Sequence, residues 1–275
     1  MIDLQARLDL PPKEAIALFR SKGFLVSWDW FDVWREMNAE SFTVAKATSY
    51  DVLRAIRTEL DTALGDGLTF DEFKKRLRPR LQDLGWWGKQ DVLDANTGEI
   101  TQAQLGSDRR LRTIFQTNVQ VSYMAGRYAR QIDNATIQPW WRYTAVMDGR
   151  TRPAHAALNG RVWRYDDPVW DIIYPPNGWG CRCRVTALSD SDMSNLGVQP
   201  ETGATVITRE ASLGAGGEMV KVQGIKVPSG AGGKSITFYP DPGWDYNPGK
   251  ASADHLALVL AQKKQLFELQ TGVKP

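Results

Sequence analysis

The stretch NGWGCRCRV, Asn177 to Val185, carries both cysteines of a 275-residue chain, one residue apart. It follows two prolines, Pro175 and Pro176, and is flanked by glycines at 178 and 180. In an extended chain residues i and i+2 point to the same side, so Cys181 and Cys183 can aim at one point. A disulfide spanning a single residue would close a small strained ring. Two cysteines in a chain of this length do not make a disulfide framework. Two thiols on one side instead suit a soft divalent ion, most simply zinc.

A closed structural zinc site takes four protein ligands. The chain has two histidines, His155 and His255. His155 lies in DGRTRPAH, Asp148 to His155, and the spacing admits an Asp148/His155/Cys181/Cys183 ligand set with a structural role. Read blandly, the same residues are two buried thiols and a histidine that hydrogen-bonds a loop. Six arginines surround this block: Arg150, Arg152, Arg161, Arg164, Arg182 and Arg184. Guanidinium forks suit phosphate, so nucleic-acid or partner contact is one use for them. Pairing with Asp166, Asp167 and Asp171 is the other.

Outward from this block the chain divides into three stretches, 1–134, 135–190 and 191–275. The first reads as a mainly helical body. PPKEAIALFR, residues 11–20, is a short helix begun by proline. Residues 28–64 read as mostly helical, with Leu53, Ile56, Leu60 and Leu64 on one face. Thr69 and Glu72 form a capping box ahead of Phe70, Phe73 and Leu77, and Pro79 is expected to end or kink that helix early. Residues 85–107 read as an excursion with a small hairpin, and a long helix is expected from Asp108 to about Asn134. In the second stretch WWRYTAV, RVWRYDD and CRCRVTAL read as strands of a small mixed or antiparallel sheet. DGRTRPAHAALNG holds a turn and a short helix closed by Asn159-Gly160. The third reads as a glycine-rich extended arm, a tight loop at DPGWDYNPGK, and a helix over 252–271. The fold class is α+β.

Composition narrows function. The net charge of +2 gives no global field directed at nucleic acid or an anionic membrane. No apolar run reaches the length needed to span a bilayer, and the first residues lack the pattern of a secretory signal. Eleven tryptophans are more numerous than usual, and most are expected in packing. GAGGE and GAGGK lack the setting of a phosphate loop, and the chain has no HExxH and no Walker motif.

The run MDGRTRPAHAALNGRVWRYDDPVWDIIYPPNGWGCRCRV, Met147 to Val185, resembles the core of the phage Mu F-like minor head proteins, also called phage head morphogenesis proteins. The resemblance rests on Asp148, Arg150, Thr151, His155, Gly160, Pro175, Pro176, Cys181, Arg182 and Cys183. LPPKEAIALFRSKG and RRLRTIFQTNVQVSYMAGRY resemble the parts that precede that core, and DPGWDYNPG resembles a part that follows it. It implies a minor head (capsid) protein of a tailed phage or prophage, made in the host cytoplasm and placed at the portal vertex or the capsid interior. Such a protein acts in head morphogenesis by binding portal and capsid proteins and packaged DNA, with no membrane, no small-molecule substrate and no catalytic residue. The alternative is an enzyme seated on the same residues, a metal-dependent nuclease or a cysteine hydrolase.

Overall fold

The computed structural model describes residues 13–47, 49–94, 97–213, 217–228 and 235–271. The helix expected over 11–20 is observed as α1, Lys13–Ser21; the two prolines before it lie outside the described residues. The chain forms two units, Met1–Gly126 with Lys250–Pro275, and Arg127–Gly249.

The first unit is helical. After α1 come β1 (Gly23–Phe24), α2 (Met37–Glu40), β2 (Ser41–Phe42), α3 (Tyr50–Asp66) and α4 (Phe70–Asp83). The hairpin strands β3 (Lys89–Leu93) and β4 (Ile100–Gln104) follow, then α5 (Asp108–Asp133), whose residues to Gly126 belong to this unit. Ser49 caps α3 by accepting from the Val52 N–H. Leu53, Ile56, Leu60 and Leu64 are all buried, as their spacing requires. The Thr69–Glu72 capping box is present in both directions. Phe73, Leu77, Leu111, Phe115 and Trp86 complete the core.

Two expectations fail here. Among the described residues, 28–47 are mostly irregular, with a 3-10 turn at Trp30–Asp32, the short α2 and the two-residue β2. Polar groups claim the backbone: Asp32 accepts from the Trp28 and Asp29 N–H groups, and the Lys46 N–H bonds the Ser27 and Trp28 carbonyls. Helix α4 also does not end at Pro79, the first of the two outcomes expected there, but continues to Asp83. Leu77 and Leu81, on either side of that proline, are both fully buried, and their packing outweighs one lost backbone bond.

The second unit holds two small antiparallel sheets. The first has the order β6–β5–β7, from β5 (Trp140–Thr144), β6 (Val162–Arg164) and β7 (Arg184–Leu188). Tyr143 lies opposite Val185 in the β5–β7 register. Between these strands lie α6 (Pro153–Leu158) and α7 (Trp170–Ile173), and α8 (Asp190–Leu196) follows β7. The second sheet has the order β10–β9–β8, from β8 (Thr205–Ser212), β9 (Met219–Val227) and β10 (Ile236–Phe238). The glycine-rich stretch expected as an arm with short strands is thus a long hairpin with one further strand. Trp141, Trp163, Trp170 and Tyr174 form a fully buried aromatic cluster with edge-to-face contacts, for example Trp163 to Trp170 at 5.7 Å and 87°. Helix α9, Pro248–Thr271, begins ahead of the expected 252, because the Asn247 side chain accepts from the Gly249 N–H.

Candidate metal centre

The sulfurs converge from a segment just ahead of a strand, not from inside one. Cys181, Arg182 and Cys183 are irregular and β7 begins at Arg184, yet the extended alternation holds: Cys181, Cys183 and Val185 are buried, Arg184 exposed. His155 is the third residue of the six-residue α6. Pro153 starts that helix, and Asn159 with left-handed Gly160 (φ 85°) ends it. Its Nδ1 stands 3.7 Å from Cys181 Sγ and 3.5 Å from Cys183 Sγ. All three side chains are buried, and their donor atoms lie within 4.8 Å of one another.

These distances test whether a metal fits. Tetrahedral zinc binds sulfur at about 2.3 Å and nitrogen at about 2.05 Å, which sets S and N about 3.6 Å apart. The observed 3.5 and 3.7 Å bracket that edge. Charge agrees: two thiolates and a neutral imidazole cancel a divalent cation, so the loaded group is neutral where burial penalises charge.

The thiols are electrostatically unequal. Cys181 is held well below the usual thiol range, first by the hydrogen bond from Cys183 and then by His155. Cys183 is pushed up, first by its hydrogen bond to Cys181, then by burial and by its partner's charge. The two shifts run in opposite directions because the Cys183 thiol donates to the Cys181 sulfur. A bound divalent ion would displace both protons.

Asp148 does not join the group. Both its oxygens are taken by Arg182, and it accepts from the Arg150 N–H at 3.0 Å. Arg182 is the first cause of its strongly depressed pKa. His255 serves elsewhere, bonding the Ser21 carbonyl at 3.1 Å in the first unit. A cleft of about 20 Å³ adjoins the sulfurs, lined also by Val146, Arg150, Thr151 and Gly180. That is room for one water, which would complete a coordination shell.

Five of the six arginines are committed to carboxylates. Arg150 and Arg182 meet Asp148, Arg152 meets Asp241 at 2.7 Å, Arg161 meets Glu201 at 2.7 Å, and Arg164 meets Asp166 at 3.0 Å. Arg184 is exposed on β7.

Sequence reasoning missed the supports of the centre. Tyr143 is fully buried and its hydroxyl donates to Asn177 Oδ1 at 2.9 Å. Its pKa is raised, first by burial and then by the adjoining thiols. The Asn177 backbone also bonds Cys181, and its side-chain Nδ2 is buried with no partner among the described residues. The inward alternation of Trp141 and Tyr143 in WWRYT is the signal that could have found Tyr143. Asn177 carried none beyond its place before the glycines.

Residues 54–186 match the family model described as Phage Mu protein F like protein. The chain is 48% identical over 255 residues to the putative capsid assembly protein F of Escherichia phage Mu, covering 91% of this chain. The chain is a Mu F-like protein. A second relative is the Mu-like prophage FluMu F protein of Haemophilus influenzae, 41% identical over 245 residues and 88% of this chain. This chain spans 57% of the length of each of these two relatives. No solved structure matches it. Among the described residues no helix is long and apolar enough to cross a membrane. The matched region contains His155, Cys181 and Cys183, so the candidate centre lies in the part of the chain that marks the Mu F-like family.

Proposed function

We propose that this Mu F-like chain is a head-assembly protein of a tailed phage or prophage, located in the virion head, and that it acts by binding portal and capsid proteins and packaged DNA. The 48% identity to a protein named for capsid assembly, sustained over 91% of the chain, carries this reading. Within it, His155, Cys181 and Cys183 hold one zinc ion, with a water as fourth ligand. The ion fastens α6 to the segment leading into β7, and so fixes loops that a sheet of three short strands would fix poorly by packing alone. Three protein ligands and a water leave one position open, as in hydrolytic zinc sites, so the structural role rests on the surroundings and not on a closed shell. The Asp148 carboxylate is spent on Arg182, whereas a metal nuclease needs carboxylates free to share its ion.

The experiment is an in-frame deletion of the gene in an inducible prophage. The proposal expects induction to yield no DNA-filled infectious heads, and complementation with the intact chain to restore them. Normal yields of filled, infectious particles from the deletion would overturn it.

A further inference from the structure

Helix α3 carries Tyr50, Arg54, Arg57 and Asp61 at intervals of four, three and four, which places them on one face. Arg20 from the end of α1 and Phe24 from β1 lie against that face, and the six line a cleft of about 300 Å³, large enough for part of a small ligand. Its charge is unbalanced: three guanidinium groups face one carboxylate. Asp61 is taken in a bidentate pair by Arg20, at 2.7 and 2.8 Å. Arg57 donates to the Arg20 carbonyl at 3.1 Å and lies 4.5 Å over the Phe24 ring. Arg54 is exposed, and among the described residues its guanidinium has no ion-pair partner. Lys22, buried nearby, donates to the Asn38 carbonyl and feels the charge of Arg57.

Two aromatic rings rim the same cleft. Phe24 and Tyr50 lie 4.8 Å apart, and are 36% and 52% exposed. Guanidinium groups in excess answer phosphate, and an open ring answers an unstacked base. We propose that this cleft binds single-stranded nucleic acid, with a phosphate at Arg54 and Arg57 and the neighbouring base on Tyr50. An acidic peptide would satisfy the arginines but would leave the rings unused. The arginines beside the metal centre are mostly locked in ion pairs, so this cleft is better equipped for phosphate than they are. The inference needs neither the ion nor the head-assembly reading.

The test is fluorescence anisotropy of a labelled twelve-residue oligothymidylate with the full chain, over a salt series. Arg54 and Tyr50 are exposed at the start of α3, so their replacement leaves the core intact. The wild type should bind with strong salt dependence. Arg54→Ala should weaken binding and lower the salt exponent by about 0.7, the share of one phosphate on a single strand. Tyr50→Ala should weaken binding about tenfold with the exponent unchanged. An oligoglutamate of equal charge should compete poorly. No binding by the wild type, variants that bind like it, or equal competition by oligoglutamate would each overturn the inference.

Discussion

Arg182 closes on Asp148 with both terminal nitrogens, at 2.6 and 2.5 Å, and thereby removes that carboxylate from the cysteine pair on either side of Arg182. Asp148 thus ties the loop after β5 to the segment before β7, beside the centre and not inside it. Its replacement should therefore spare metal binding. Asp148→Asn is expected to retain the zinc of the wild type, as read by metal analysis, and to melt at a lower temperature near neutral pH. Because the folded carboxyl sits below its ordinary value of about 3.9, its contribution is present above that pH and is lost as pH falls through the folded pKa. The difference in melting temperature between wild type and variant should shrink steadily below about pH 4. A variant that loses metal would make Asp148 a ligand after all.

The Arg161–Glu201 pair is the most deeply buried ion pair described, with side chains 9% and 2% exposed. Glu201→Ala should cost about 3 kcal/mol, because it strands a buried guanidinium. The double change Arg161→Met with Glu201→Leu should recover most of that loss. Urea denaturation of the three proteins measures it. Equal losses for the single and double variants would refute this account of the pair.

Lys22 is buried, its amine has among the described residues only a backbone carbonyl as acceptor, and burial, helped by the charge of Arg57, pulls its pKa down to about 8. Below pH 8 the amine is charged in both states and the fold bears the cost. Between there and about 10.4 the folded lysine has shed its proton while the unfolded one keeps it, so stability rises with pH, by roughly 3 kcal/mol in all. Lys22→Met should abolish that rise. Denaturation curves at pH 7.5 and 10 for both proteins decide it, and parallel pH dependence would contradict the assignment.

Gly178 sits at φ 154° beside the Arg152–Asp241 pair. A Cβ there would lie 2.1 Å from Asp241 Oδ2 and 2.7 Å from Arg152 Nη1. Gly178→Ala should therefore separate that pair and lower the melting temperature by several degrees, about 2 kcal/mol of strain and lost contact. An unchanged melting temperature would show that the loop yields freely.

Periodic and local signals were legible in the chain. The apolar face of α3, the Thr69–Glu72 box, the proline start and glycine end of α6 and the strands around WWRYT all follow from short-range rules, and the structure keeps them. The meeting of His155 with both cysteines was also legible, because extended alternation points both thiols one way and the chain has two histidines, one of them in the neighbouring motif. Competition between distant partners was not. Asp148 was as good a ligand as any on spacing, and only the fold reveals that Arg182, 34 residues on, reaches it first. Residues 28–49 have helix-compatible composition, but Asp32 and Lys46 bind the backbone in ways no periodicity announces. Tyr143, Asn177 and Glu201 act through contacts made only once the sheets assemble.

Metal analysis of the full chain, purified without chelator, tests the His155–Cys181–Cys183 centre most directly. About one zinc per chain is expected, with Cys181→Ser/Cys183→Ser losing it and melting about 10 °C lower, the equivalent of roughly 3 kcal/mol. A well-folded wild type that holds no metal, even after incubation with zinc, would contradict the centre.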